Sequence, residues 1–249
     1  MIKSSFVRFM FVLVCACIIL CISCKKEKQP DIAPTPDVQG IELSVSYKVD
    51  ADIFMTNHFM YKTQAGYDYS ITKMVYYLSQ ISLIKADSSL YLLKDYHYVD
   101  AVTSQTNQLT LKNIHAGNYI GLKFNIGLDS LHNVSDTLPA TAENINMKWP
   151  VMMGGGYHFL KLEGYYKDTS GSYGYNIHLG TNSCLTPVKL YKSITISTNT
   201  KTPVSIVMNI NEWFRNPHVF DFNVDGSYIM GNAAAMKKIA ENGIDVFSF

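Results

Sequence analysis

Ile41-Glu42-Leu43-Ser44-Val45-Ser46-Tyr47-Lys48-Val49 decides the fold class. Apolar side chains at 41, 43, 45, 47 and 49 alternate with polar neighbours. One face of an extended chain is therefore buried and the other wetted, which a helix of period 3.6 cannot achieve. The same alternation recurs downstream. Met74, Tyr76 and Leu78 form one apolar set, which then shifts to Ile81 and Leu83, so a bulge is expected near Ser79. Ile120, Leu122, Phe124, Ile126 and Leu128 lie opposite Gly121, Lys123 and Asn125. Shorter strands are expected at Tyr91–Leu93, Tyr96–Val99, Tyr157–Tyr166, Tyr173–Leu179, Lys189–Ser197 and Val204–Ile210.

Two segments break the alternation. Ser130–Met153 carries Pro139, Pro150 and many polar residues and reads as a long irregular loop. Ile229, Ala233, Met236 and Ala240 fall at helical spacing, with Gly243 placed as a C-cap. Many short strands and one late helix predict an all-β, antiparallel β-sandwich with a C-terminal helix.

The chain ahead of the first strand reads as an address. Lys3 and Arg8 give a positive start, and Phe9–Ile22 is apolar but short of the roughly 20 residues a membrane span requires. It ends in Leu20-Cys21-Ile22-Ser23-Cys24, a small residue directly before a cysteine, as lipoprotein processing demands. Residues 1–23 are thus expected to be a lipoprotein signal peptide, with Cys24 lipidated. Cys17 is a rival position, and an uncleaved N-terminal anchor is the alternative to processing. Residues 24–39, with Pro30, Pro34 and Pro36, read as an extended tether, and 40–249 as the folded domain. The expected location is the cell envelope, lipid-anchored to a bacterial membrane, the outer membrane being favoured.

Of five cysteines, only Cys184 lies beyond Cys24, so no intramolecular disulfide is expected and stability must come from the core. Formal net charge is +1, and removing Lys3 and Arg8 with the leader brings it to −1. No basic stripe is present, which argues against nucleic acid as a partner.

No complete catalytic or metal motif is present. Gly-x-Ser-x-Gly is missing, and Gly154-Gly155-Gly156 does not open a helix after a strand, so it is not a phosphate loop. Glu163 or Cys184 as a hydrolase centre is the weakest reading. The histidines are His58, His97, His115, His132, His158, His178 and His218. In Tyr175-Asn176-Ile177-His178-Leu179-Gly180, alternation turns Asn176 and His178 away from the apolar side, where an imidazole can hold copper or zinc or simply bond a nearby loop. His97 lies between Tyr96 and Tyr98, with Asp100 able to orient a ring. His158 shares a strand phase with Leu160 and Leu162 and reads as packing. Trp149, in Met147-Lys148-Trp149-Pro150-Val151-Met152-Met153, is a metal neighbour or a core-edge filler.

Several ordered blocks resemble the MbnP-like family of exported β-sandwich proteins. They are Ser70-Ile71-Thr72-Lys73-Met74-Val75-Tyr76-Tyr77-Leu78-Ser79, Tyr96-His97-Tyr98-Val99-Asp100, Phe124-Asn125-Ile126-Gly127-Leu128-Asp129, Met147-Lys148-Trp149-Pro150, Gly156-Tyr157-His158-Phe159-Leu160-Lys161-Leu162-Glu163-Gly164 and His178-Leu179-Gly180. The resemblance implies a non-enzymatic extracytoplasmic protein associated with copper. In some members, two histidines and a tryptophan oxidised to kynurenine by a dihaem peroxidase-type partner hold the metal. Carried over by position, it implies His178, His97 and Trp149 as the metal site. Lys48 stands where copper-binding relatives tend to carry a histidine, and Val151 replaces a second tryptophan. A metal-free adhesion or glycan-binding lipoprotein using exposed tyrosines is the alternative.

Overall fold

A computed structural model describes residues 39–249. The expected leader, the expected lipidation position Cys24 and the expected tether up to residue 38 lie outside the described residues. In chain order the domain runs β1 (Gly40–Val49), β2 (Asp52–Ile53), β3 (Tyr61–Lys62), β4 (Asp68–Ile84), β5 (Leu90–Asp100), β6 (Gln108–Lys112) and β7 (Gly117–Ile126). It continues through α1 (Ala142–Asn146), β8 (His158–Lys167), β9 (Ser172–Gly180), β10 (Thr186–Ile196), β11 (Lys201–Asn209), α2 (Ala233–Asn242) and β12 (Phe247–Ser248).

The strands form two sheets with their apolar faces together. One is ordered β12-β11-β1-β2, with β6 also on β1; the other is β10-β7-β4-β8-β9, with β3 and β5 also on β4. β1 and β11 run parallel, whereas the other strand pairs are antiparallel. The sandwich expected from alternation is thus present. Ile41, Leu43 and Val45 of β1 and Ile206 and Met208 of β11 are buried. So are Met74, Tyr76 and Leu78 of β4, Leu160 and Leu162 of β8, and Ile177 and Leu179 of β9. Each such side chain contributes roughly 1.5–3 kcal/mol on burial.

β4 organises the second sheet. Along one edge it pairs with β8 from Asp68 to Tyr76, then with β7 from Leu78 to Ile84. Two strands therefore meet end to end against one, and Gly127 N donates to Tyr77 O at the junction (2.8 Å). The bulge expected near Ser79 falls at Gln80, whose φ is 52° and where the β4–β7 register shifts.

Several expectations shift in detail. The two short strands expected at 91–93 and 96–99 are one continuous β5. β6 is an added strand, built on Leu109 and Leu111. The irregular segment 130–153 contains α1, capped by Thr141 accepting from Asn144 N. The C-terminal helix forms, with Asn232 capping its start by accepting from Ala235 N. Gly243 is not a left-handed cap: its φ is −67°. It is glycine because Trp213 lies against it, and an added Cβ would fall 2.5 Å from Trp213 Cζ3. Gly243→Ala is expected to overpack this contact and cost about 1–3 kcal/mol, read as a lowered urea midpoint with unchanged slope; an unchanged midpoint would contradict the packing assigned to Trp213.

Candidate functional site

The site lies on the outer face of the second sheet, where β8 and β9 pair. Lys161 stands opposite His178 and Glu163 opposite Asn176. Tyr175, Ile177 and Leu179 enter the core, so Asn176, His178 and Gly180 face outward, as alternation along β9 requires. Strict alternation would put His158 on the core side with Leu160 and Leu162. It does not hold there. Leu160 pairs with Leu179, but His158 pairs with Gly180, leaving Phe159 as an extra residue. This bulge returns His158 to the face of Lys161 and His178.

Trp149 is brought to the same face by a short extended pairing. His158 N donates to Met147 O (2.6 Å) and Trp149 N to Gly156 O (2.9 Å). The indole lies directly on Gly180, where an added Cβ would be 2.3 Å from Trp149 Cε3. Its Nε1 donates to Met153 O (3.2 Å). The indole ring is 4.7 Å from the His158 ring, centroid to centroid, and His158 is 5.1 Å from His178. Trp149 is 2% exposed and His158 5%.

Each imidazole has one nitrogen tied to an oxygen. His158 Nδ1 donates to Met147 O (3.1 Å), because a carbonyl can only accept. His178 Nε2 donates to Glu163 Oε1 (2.9 Å). That hydrogen bond, opposed by burial and aided by Lys73, holds the Glu163 carboxyl below its usual range. Lys73 Nζ is 3.9 Å from the same oxygen. Burial, reinforced by the charge of Lys161, pushes His158 down to about 3, so its ring is neutral at ordinary pH. Lys161 Nζ donates to Asn146 O, the last carbonyl of α1 (2.5 Å), and burial with Lys73 pulls its ammonium below the ordinary value.

These residues fit a metal ion that takes nitrogen donors. Ligating histidines commonly donate their second N–H to a carbonyl or carboxylate, which fixes the ring and leaves the other nitrogen its lone pair. Here Met147 O and Glu163 serve that purpose. Among the described residues, no three His, Cys, Asp or Glu side chains converge as a metal-binding group. The protein therefore offers an imidazole pair beside an indole rather than a closed cage.

The structure brings Trp149 to His178 through His158, and it does not bring His97 to them. Leu78 stands opposite His97, whereas Val75 stands opposite Lys161. Val75 and Leu78 point to opposite faces, so His97 and His178 lie on opposite faces, three strand steps apart. His97 Nε2 instead bonds Thr106 O (2.8 Å), and burial lowers its pKa. Lys48 is exposed on β1, in the other sheet, so its identity does not bear on this cluster. Val151 is exposed beyond Trp149. Cys184 is buried, with its sulfur near the hydroxyls of Thr181 and Ser183. His158 and Glu163 are the residues that sequence reasoning left out of the site.

The MbnP family model matches residues 38–231. The chain belongs to the MbnP family. MbnP from Methylosinus trichosporium is a solved structure with a TM-score of 0.50 to this chain, covering 73% of it and 79% of that protein at 10% identity. At that identity the likeness is one of fold. No curated protein matches the chain. The blocks holding Trp149, His158, Glu163 and His178 all fall inside the matched MbnP segment.

The neutral state of His158 makes this site acid-sensitive. An unfolded histidine titrates near 6.5, whereas His158 in the fold titrates near 3. Between those values the unfolded chain binds the additional proton, so stability is complete above about pH 6.5 and declines as pH falls toward 3. The full loss, complete only below about pH 3, is on the order of 5 kcal/mol. His158→Phe keeps a flat ring but cannot titrate. Denaturant unfolding of metal-free protein at pH 7 and pH 4.5 is expected to show a smaller acid loss for the variant; equal losses would refute buried, neutral His158.

Proposed function

We propose that this MbnP-family protein is an exported, membrane-anchored, non-enzymatic copper-binding protein, with His158 and His178 as its nitrogen donors and Trp149 against them. The observation carrying this reading is the unbroken ring contact Trp149–His158–His178, with Met147 O and Glu163 tying one nitrogen of each imidazole. Imidazole suits copper, and the family resemblance points to the same metal. When bound, copper would supply redox chemistry beside the indole. The chain's own residues present two lone pairs, orient both rings and keep water from Trp149. The lipid attached at Cys24 would hold the domain at the bacterial outer membrane. An oxidant of the dihaem peroxidase class is the partner that fits modification of Trp149. Glu163 is committed to His178 and Cys184 is buried, so neither supports a hydrolase.

A second reading has its own observation. Tyr165 and Tyr228 are exposed near Gly174, opposite Tyr165 in register and beneath the Tyr228 hydroxyl, which suits a metal-free glycan-binding face. Metal content after copper loading and dialysis, measured by plasma mass spectrometry, separates the two. Stoichiometric copper is expected in the wild type. His158→Ala and His178→Ala should each weaken binding by at least about 100-fold, and Glu163→Gln by about 10- to 100-fold. His97→Ala should leave it unchanged. A wild-type protein that retains no copper would put the glycan reading ahead.

A further inference from the structure

The copper reading leaves an access problem. His158 is buried with the Trp149 indole against its ring, so an ion reaches the His158 lone pair only after the segment carrying that indole moves. Four contacts tie it to β8 and the turn before it, alongside Tyr77 Oη on Asn144 Oδ1 and the Lys148–Asp136 ion pair. Two are backbone bonds, His158 N to Met147 O and Trp149 N to Gly156 O. Two are side-chain bonds, His158 Nδ1 on Met147 O and Lys161 Nζ on Asn146 O. An ammonium on the last carbonyl of a helix is favourable there, because the unpaired carbonyls carry the negative end of the helix dipole. Lys161 also stands directly opposite His178 in register and on the same face. A cation at the imidazole pair and the Lys161 ammonium would therefore repel each other at short range.

We propose that Lys161 is a positioning residue that latches the α1–Trp149 segment over the imidazole pair and slows the entry of a cation. The latch itself is a property of the metal-free protein; its effect on entry rests on the copper reading above. In the latched state Lys161 spans from β8 to α1 and keeps the indole seated on Gly180. Moving the ammonium away from Asn146 loosens the segment and removes a like charge from the path of the ion. Lys161 thus takes part in both opening and ion entry. Lys73 is not an equivalent latch, because its ammonium faces Glu163.

Hydrogen–deuterium exchange of metal-free wild type, Lys161→Met and Lys161→Arg tests the latch. In Lys161→Met the amides of residues 146–149 are expected to exchange about 10-fold faster than in wild type, while peptides from β4 stay protected. Arginine, which keeps the charge and a donor, should restore most of the protection. Uptake of Cu(I) from a chromogenic chelator should be about 10-fold faster in Lys161→Met and near wild type in Lys161→Arg. Unchanged exchange at 146–149 overturns the latch. Faster exchange with unchanged copper uptake overturns its role in entry. If the wild type takes up no copper, the copper reading fails with that role, and exchange alone still decides whether Lys161 holds the segment. Should Lys161→Met lose protection in β4 as well, Lys161→Gln provides the same comparison with a polar side chain.

Discussion

The site depends on one extra residue in one strand. Because β8 and β7 meet end to end along β4, the start of β8 has to accommodate the end of β7. Phe159 is the accommodation: it is fully buried, and it packs where Gly127 has no side chain, an added Cβ falling 2.4 Å from Phe159 Cδ2. Burying a phenylalanine is worth roughly 1.5–3 kcal/mol, enough to outweigh the ladder bonds a bulge disrupts. The consequence for function is geometric. With Phe159 taken out of the pairing, His158 turns outward beside His178. Without the bulge the ring would enter the core, and it would meet neither Trp149 nor His178.

Polar groups are then economically placed around the pair. A buried imidazole is tolerable only if its N–H is satisfied. The Met147 carbonyl does this for His158 while also accepting its backbone N–H, so a single oxygen holds both ring and strand. Glu163 does it for His178 and is itself balanced by Lys73. The same outer face thus carries a neutral ring, an oriented ring and a carboxylate with its counter-ion, all set by period-two alternation along β8 and β9 after the bulge.

Much of this was legible in the sequence. Alternation located the main strands, and the outward direction of Asn176 and His178 followed from it directly. What failed was the phase of His158. Tyr157 and Phe159 are apolar in one phase and Leu160 and Leu162 in the other, the same kind of shift that marked the bulge after Leu78. Applied at Phe159, that signal would have turned His158 outward. The pairing of His97 with His178 could not have been settled by local pattern. Face and strand order are properties of the sheet, and a residue on β5 is separated from β9 by two other strands. Gly243 shows the complementary error. Its position after a helix suggested backbone freedom, whereas Trp213, distant in sequence, is what excludes a side chain there.

Charge narrows which ion such a site holds best. Around the imidazole pair stand two ammonium groups, Lys73 and Lys161, and one carboxylate, Glu163, so the surroundings are net positive before any ion arrives. Against a unit charge about 5 Å away, each added positive charge costs on the order of 3 kcal/mol at an effective dielectric near 20. A divalent ion meets that cost twice and a monovalent ion once. Within the copper reading, the lysines therefore discriminate by charge where the histidines alone, which suit zinc and copper alike, do not.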